Sequence, residues 1–310
     1  MQAIDSGPSV SVVIPAFNQA GFLRECLESI AAQEMTDWEA IVVDDASTEC
    51  DLEEVVAELH DARFRVIRHT RNRGEGAARN TGFESARATL VLPMDSDDKL
   101  HPEFLSVATR ALVGASPEVD CVYTDFQLFG ASSEVWRNTA DRTLRDILHA
   151  QWIPGPGTLM RRAVWERTGG YSDADVLRRG NADWDFWIGA LAAGAMPMHL
   201  PLPLYLYRRH HSSLSATMSA SDYRQREYIY LRHRELFDRH RAGGEFRAAG
   251  YLNSARYAWA THERMRGLSL LVRGFAIRGG TWWLARAMAG ELASALRRRV
   301  TTQALRNHDE

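Results

Sequence analysis

Residues 10–18 read Val10-Ser11-Val12-Val13-Ile14-Pro15-Ala16-Phe17-Asn18. A β-branched run ended by proline is the pattern of a buried strand. Leu23, Cys26, Leu27 and Ile30 then recur at helical spacing, which predicts a helix. Ala40-Ile41-Val42-Val43 is a second buried strand that runs straight into Asp44-Asp45. Leu52, Val55, Val56 and Leu59 give a helix, 64–67 a third strand, and about 76–86 another helix. Thr89-Leu90-Val91-Leu92 is a fourth strand, and Asp95, Asp97 and Asp98 follow it. Strand and helix alternate throughout, so the fold class is α/β, a Rossmann-type, mostly parallel sheet flanked by helices.

Sheets of this kind bind ligands in the crevice beyond the carboxyl ends of their strands. Pro15–Asn18, Asp44-Asp45 and Asp95–Asp98 all follow strands and therefore face one crevice. Three carboxylates within four residues are hard oxygen ligands that suit Mg²⁺ or Mn²⁺; the plainer reading is a solvated acidic turn or a helix cap before Pro102. Asp44-Asp45 can accept hydrogen bonds from a base imide or a ribose hydroxyl, or else form an Asx turn with Ser47 and Thr48. Arg71, Arg73 and Arg79, interleaved with Gly74, Gly76 and Gly82, suit a diphosphate, and at least one of the three arginines reads as ordinary surface charge.

The second half is less regular. Pro154-Gly155-Pro156-Gly157 marks a loop, Gly169-Gly170 a turn, 181–193 a helix, and 200–207 a short extended segment crowded by Pro197, Pro201 and Pro203. From about Asp222 onward the sequence reads as helices broken near Gly243-Gly244 and Gly279-Gly280.

Composition is ordinary for a globular protein, 45% hydrophobic and 25% charged, with net charge −3, so nothing global points to nucleic acid. Charge is unevenly spread: from Ser221 there are 17 Lys+Arg against 9 Asp+Glu. That basic tail has two readings, a helical extension packed within the protein or on a second subunit, and a peripheral membrane contact through Trp282-Trp283 and Arg297-Arg298-Arg299. Cys26, Cys50 and Cys121 lack metal-ligand spacing and read as reduced thiols. No basic-then-apolar leader opens the sequence and no uncharged apolar stretch is long enough to cross a bilayer, so the expected location is the cytoplasm or the inner face of the membrane.

Taken together, the motifs resemble the family 2 glycosyltransferases, whose catalytic domain has the GT-A fold. The resemblance is carried by Ser11–Asn18, Ile41–Ser47, Asn72-Arg73-Gly74 with Ala78–Gly82, and Asp95–Asp98. Arg161-Arg162 with Gly169-Gly170-Tyr171, Asp183–Trp187 and Tyr207–His210 follow in the family's order. It implies a GT-A-like catalytic domain over 1–218, with the nucleotide-sugar side at about 10–100 and the acceptor side at about 101–218. A helical extension would occupy 219–310.

By position, the resemblance assigns Pro15, Ala16, Phe17, Asn18, Asp44, Asp45, Arg79, Asp95 and Ser96 to the nucleotide-sugar, with Asp45 in the base pocket and Asp44 supporting its loop. Asp95 and Asp97 would form the DxD element that holds the metal, with Asp97 the direct ligand and Asp98 a further contributor. His210 would approach the metal or the diphosphate, and Asp183 would be the catalytic base. Ala182 departs from the family, in which Glu commonly precedes that Asp, so a contact to the acceptor is lost and the base is kept. Trp152, Gly157 and Trp184 are candidates for the acceptor side; the plainer reading of the tryptophans is core filling. The implied reaction is inverting transfer of a sugar, of hexosyltransferase type, from a UDP-, dTDP- or GDP-sugar to a hydroxyl of a glycan, lipid-linked or small-molecule acceptor. Its setting would be synthesis of cell-surface polysaccharide or glycoconjugate. The rival readings are a sugar-phosphate nucleotidyltransferase, which lacks its glycine-rich triphosphate loop here, and an inactive nucleotide-sugar or glycan-binding relative.

Overall fold

The computed structural model describes residues 7–139, 142–178, 180–210 and 220–278. The chain divides into two compact units, Met1–Thr217 and Met218–Glu310.

In the first unit, the elements alternate as β1 (Val10–Ala16), α1 (Ala20–Ala31), β2 (Trp38–Asp44), α2 (Leu52–Ala57), β3 (Phe64–Arg68), α3 (Glu75–Ser85) and β4 (Leu90–Pro93). There follow β5 (Lys99–Leu100), α4 (Phe104–Gly114), β6 (Cys121–Gly130), β7 (Val135–Trp136), α5 (Leu144–Ile147), β8 (Thr158–Arg161), α6 (Arg162–Thr168), a 3-10 turn (Asp175–Leu177), α7 (Ala182–Ala192) and β9 (Pro197–Arg209). One sheet runs β3-β2-β1-β4-β8-β6-β9-β5, with β7 alongside β6. The first four strands are parallel to one another. The strand β8 is antiparallel to β4 and β6, whereas β9 runs parallel to β6.

Both faces of β1 are covered, as its uninterrupted apolar run requires. Val10, Val12 and Ile14 pack with Leu23, Cys26, Leu27 and Ile30 of α1 in the main core. Val13 points the other way, against α3, where Gly82 lies so close that an added Cβ would fall 3.1 Å from Val13 Cγ2. The period of two along the strand thus meets a helix on each side.

The extended segment expected at 200–207 is longer than its prolines suggest. The strand β9 covers 13 residues, and its pairing with β6 slips between Thr124 and Phe126: Thr124 faces Leu200, then Phe126 faces Tyr205. Pro201 and Pro203 fall inside that irregularity, where no ladder donor is needed. The partner strand β6 itself carries no signal beyond its aromatic and β-branched content.

The second unit is helical: α8 (Asp222–Arg232), α9 (Arg234–His240), α10 (Gly243–Ala260) and α11 (Arg264–Arg278). Tyr251, Ala255, Ala258 and Leu270 form its apolar centre. The break expected at Gly243-Gly244 occurs just ahead of them, at Arg241 with φ 53°, and the two glycines open α10 instead. A further break at His262, with φ 65°, separates α10 from α11. Gly279-Gly280, Trp282-Trp283 and Arg297–Arg299 lie outside the described residues. Among the described residues no helix is long and apolar enough to cross a membrane.

Candidate active site

The carboxyl ends of β1, β2 and β4 open side by side. The Asp45 N–H donates to the Ala16 carbonyl at 2.9 Å, and the Met94 N–H to that of Val13 at 3.0 Å. Pro15 and Ala16 are buried, whereas Phe17 stands exposed. Asn18 adopts a left-handed backbone, φ 54°, a conformation asparagine tolerates better than most residues. It donates its N–H to Ser47 Oγ at 3.0 Å, and its Oδ1 accepts from the Thr48 and Glu49 N–H groups at 2.7 and 3.1 Å. Asn18 therefore clasps the loop after β1 to the loop after β2.

The two acids at the end of β2 divide their work. Asp45 Oδ1 lies 2.7 Å from His69 Nδ1 and accepts from the Arg73 N–H at 2.8 Å, and its Oδ2 accepts from the Gly74 N–H at 2.7 Å. Its carboxylate holds the loop that leads into α3. Asp44 accepts from the Ser47 N–H at 2.8 Å. Its buried Oδ2 has no hydrogen-bond partner among the described residues, with Arg68 Nε 3.5 Å away. That oxygen is fully buried and the Arg68 guanidinium compensates its charge; Arg79 Nε and the Tyr171 hydroxyl are likewise buried without a hydrogen-bond partner among the described residues.

The acidic turn after β4 is fastened through Asp98. That carboxylate accepts from the Tyr205 hydroxyl and from the Arg208 N–H, each at 2.7 Å. Ser96 Oγ donates to Gln19 at 2.8 Å, which ties the turn to the start of α1. Asp97 Oδ2 lies 2.8 Å from His210 Nε2. Carboxylate oxygens of Asp95, Asp97 and Asp98 approach within 4.8 Å of one another. Burial pushes Asp95 up to about 8, opposed by Arg79 and reinforced by Glu75, Asp97 and Asp183. Burial, then Asp95 and Asp97, raises Asp98 as well. With Asp98 taken up by the fold, Asp95 and Asp97 offer hard carboxylate oxygens that suit Mn²⁺ or Mg²⁺, and the His210 imidazole, a borderline nitrogen donor, lies against Asp97.

Arg79 lies beneath this turn. Its buried guanidinium pairs with Glu75 and, at 2.8 Å, with Asp95, and sits 5.4 Å from the centre of the Tyr171 ring. Burial alone would lower its basicity, but Glu75 and Asp95 outweigh burial and the net shift is upward. Glu75 itself is raised by burial, against the pull of Arg79, with Asp183 and Asp97 adding to the rise. Glu75, Asp95, Asp97, Asp98 and Asp183 thus act on one another around a single buried guanidinium, an excess of negative charge that a cation would relieve. Glu75 was not singled out by the sequence. Its only signal is its place four residues before Arg79, an ordinary helical spacing.

Next to Arg79, Asn80 joins two distant motifs. Its Oδ1 accepts from Trp165 Nε1 and from the Tyr171 N–H, and its Nδ2 donates to the Tyr171 carbonyl, all at 2.8 Å. This explains why an Arg-Asn pair in α3 accompanies Gly169-Gly170-Tyr171: the amide pins Tyr171 against Arg79.

Asp183 is the second residue of α7, where a carboxylate faces the positive end of the helix dipole. Its Oδ1 accepts from the Trp184 N–H at 2.9 Å, and its Oδ2 accepts from the Gln151 amide at 2.7 Å. Gly155 passes directly against it: an added Cβ would lie 2.8 Å from Asp183 Cβ. Gly157, with φ 74°, lies against the Tyr205 ring, whose hydroxyl holds Asp98. The Gly-Pro-Gly loop therefore runs from the side chain of Asp183 to the residue that anchors the acidic turn. Gln151, like Glu75, had no sequence signal, since its partner lies 32 positions away.

The tryptophans behave mainly as core. Trp152 and Trp184 are buried, and their indole N–H groups donate to the Thr143 and Ile147 carbonyls at 3.3 and 2.7 Å. Trp187 is fully buried. Ala182 is buried beside Gly76 of α3. Cys26, Cys50 and Cys121 are free thiols.

Known proteins match this chain in sequence and in fold. Residues 11–182, more than half of the chain, match the family model for glycosyl transferase family 2. The chain is 42% identical over 103 residues to the succinoglycan biosynthesis protein ExoO of Rhizobium meliloti (strain 1021), a stretch that is 33% of this chain and 29% of that protein. The chain thus spans under a third of that relative's length. Its fold matches S. aureus TarS 1-349 in complex with UDP-GlcNAc with a TM-score of 0.66, at 18% identity over 86% of this chain and 79% of that one. It matches the mannosyltransferase PcManGT from Pyrobaculum calidifontis, in complex with GDP-Man and Mn2+, with a TM-score of 0.60, at 19% identity over 97% and 85% of the two chains. With its three parallel strand ends, its acidic turn and the family match running through both, the chain belongs to the family 2 glycosyltransferases and has the GT-A fold with carboxyl-terminal helices.

Proposed function

We propose that this chain is an inverting, metal-assisted glycosyltransferase that moves a sugar from a nucleoside-diphosphate sugar onto an acceptor hydroxyl. The observation that carries the reading is the single electrostatic cluster formed by Asp183, Glu75 and the acidic turn around buried Arg79. Asp44, Asp45, Pro15, Ala16, Phe17 and Asn18 would line the nucleoside side, with Asp45 in the base pocket and Asp44 supporting its loop through the Ser47 N–H and Arg68. UDP is the first choice, dTDP and GDP the alternatives.

Asp95, Asp97 and His210 are the residues that would hold a divalent cation, which when bound supplies positive charge to the departing diphosphate. Asp183 would take the proton of the acceptor hydroxyl as that oxygen bonds to the anomeric carbon. The bond from that carbon to the diphosphate oxygen breaks on the opposite face, and its electron pair leaves with the nucleoside diphosphate. One such displacement inverts the configuration. Gln151 would orient Asp183 through its hydrogen bond, and the loop at 155–157 would shape the acceptor side together with the packing supplied by Trp152 and Trp184. Glycan, lipid-linked and small-molecule acceptors all fit this chemistry, in polysaccharide or glycoconjugate synthesis on the cytoplasmic side of a membrane, by a monomer or a homo-oligomer.

Calorimetric titration of UDP, dTDP and GDP, with and without Mn²⁺, followed by donor turnover, tests the reading. One diphosphate bound tightly only with metal, and a sugar released or transferred, supports it. Release of pyrophosphate from a nucleoside triphosphate would point to a nucleotidyltransferase, tight binding without turnover to an inactive relative, and no binding by folded protein would sink the proposal.

A further inference from the structure

We infer that α11 carries a surface for contact with an anionic lipid membrane. The helix buries one face, through Gly267, Leu270 and Gly274, and Leu270 belongs to the apolar centre of the second unit, with Leu271 packed beside it. Gly267 lies against the Trp259 ring of α10, where an added Cβ would sit 2.9 Å away. The opposite face leaves large apolar side chains in solvent: Met265 is 79% exposed, Leu268 51%, Val272 60% and Phe275 36%.

These four positions advance by three, four and three residues. At 100° per residue they share an arc of about 80°. Arg264 lies about 20° beyond one edge of that arc; beyond the other edge come Ala276 and Ser269, then Arg273 about 80° and Arg266 about 100° away. The sequence of α11 contains four arginines and no acid. Arg264 and Arg273 have no ion-pair partner among the described residues, and Arg266 pairs with Glu263 just ahead of the helix. Single exposed leucines are commonplace, but a continuous apolar stripe on a helix whose only charges are arginines, one of them beside the stripe, is the pattern of a helix lying in a membrane interface.

The charge decides between occupants. A symmetric second copy would press this face against itself and bring its arginines toward arginines. A layer of lipid phosphates accepts guanidinium groups while the stripe enters the acyl boundary. The inference rests on this face alone and is independent of the transfer reaction.

The test uses the whole chain in co-sedimentation with phosphatidylcholine vesicles, with and without phosphatidylglycerol, at low and high salt. Binding to the anionic vesicles alone, weakened by salt, is expected, and Leu268→Asp with Val272→Asp should lower it by roughly ten-fold or more. Arg264→Ala with Arg273→Ala, at solvent-exposed positions, should also weaken binding and flatten its salt dependence. Circular dichroism checks that each variant is folded, and the arginine pair decides the matter if the aspartate pair is not. No binding to anionic vesicles would overturn the inference, as would binding untouched by both pairs. A concentration-dependent dimer abolished by the aspartate pair would assign the face to a second copy instead.

Discussion

The Gln151 amide donates to Asp183 Oδ2 across 2.7 Å, and the backbone of Gly155 packs against the same carboxylate. The side chain proposed to take a proton is thus bonded and crowded by one loop. If Gln151 orients Asp183 for proton transfer, Gln151→Leu should lower kcat by about ten-fold and leave nucleotide affinity unchanged. Gln151→Glu, which sets a second carboxylate beside the first, should lower kcat further. Steady-state kinetics with calorimetry of the diphosphate separates the two effects, and a pure loss of nucleotide binding would contradict the positioning role.

Asp183→Asn should reduce transfer by about 10²–10⁴-fold, the usual worth of a general base, with nucleotide and metal binding retained. Single-turnover rates beside calorimetric affinity provide the check. A folded variant that no longer binds nucleotide would remove Asp183 from the role of base.

Gly157→Ala should destabilise the first unit. At φ 74° a Cβ is strained whatever the space, and here it would also fall 2.8 Å from Tyr205 Cγ. Backbone strain and overpacking together should cost about 2–4 kcal/mol, read from the denaturation midpoint. An unchanged midpoint would mean that the loop relaxes freely.

Asn80→Ala would leave the Trp165 indole N–H and the Tyr171 N–H without their acceptor. A buried donor left unpaired costs about 1–3 kcal/mol, which applies to Tyr171, while the half-buried Trp165 loses less. Urea unfolding should show that loss, and diphosphate affinity should fall with it because Tyr171 no longer packs against Arg79.

The acidic cluster also sets a pH dependence. Asp95 is raised from its ordinary value of 3.8 to about 8, chiefly by burial, and Asp98 and Glu75 move in the same direction. The metal-free native state therefore binds more protons than the unfolded chain between these limits, so stability falls as pH rises from about 4 through about 8. In EDTA the thermal midpoint should be lower at pH 8.5 than at pH 5.5. Mn²⁺ should recover it more at the higher pH, because carboxylates must be ionised to bind a cation. A midpoint that rises with pH in EDTA would contradict the cluster electrostatics.

Much of the fold was legible in local pattern. The β-branched runs before Pro15, Asp44 and Asp95 became β1, β2 and β4, and the apolar spacing of Leu23, Cys26, Leu27 and Ile30 became the buried face of α1. Asp95 and Asp97 were legible for the same reason, since they sit next to the strand that delivers them. The strand β9 was only half legible, because its prolines are tolerated through a slip in pairing that depends on β6. Asp45 showed its residue type but not its partners: only the folded chain brings His69, Arg73 and Gly74 to it.

The sequence by itself determined the alternation of strand and helix, the acids at the strand ends and the family to which they belong, because each depends on periodicity or on residues adjacent in the chain. Only the tertiary structure decided that Asp98 anchors the turn, that Glu75 and Asp95 share Arg79, and that Gln151 holds Asp183. Most of those partners lie far apart in the chain, and even the helical Glu75–Arg79 pair becomes part of a site only when α3 packs beneath the acidic turn. The contacts exist because packed elements exclude water and leave each buried polar group to find a partner inside the fold.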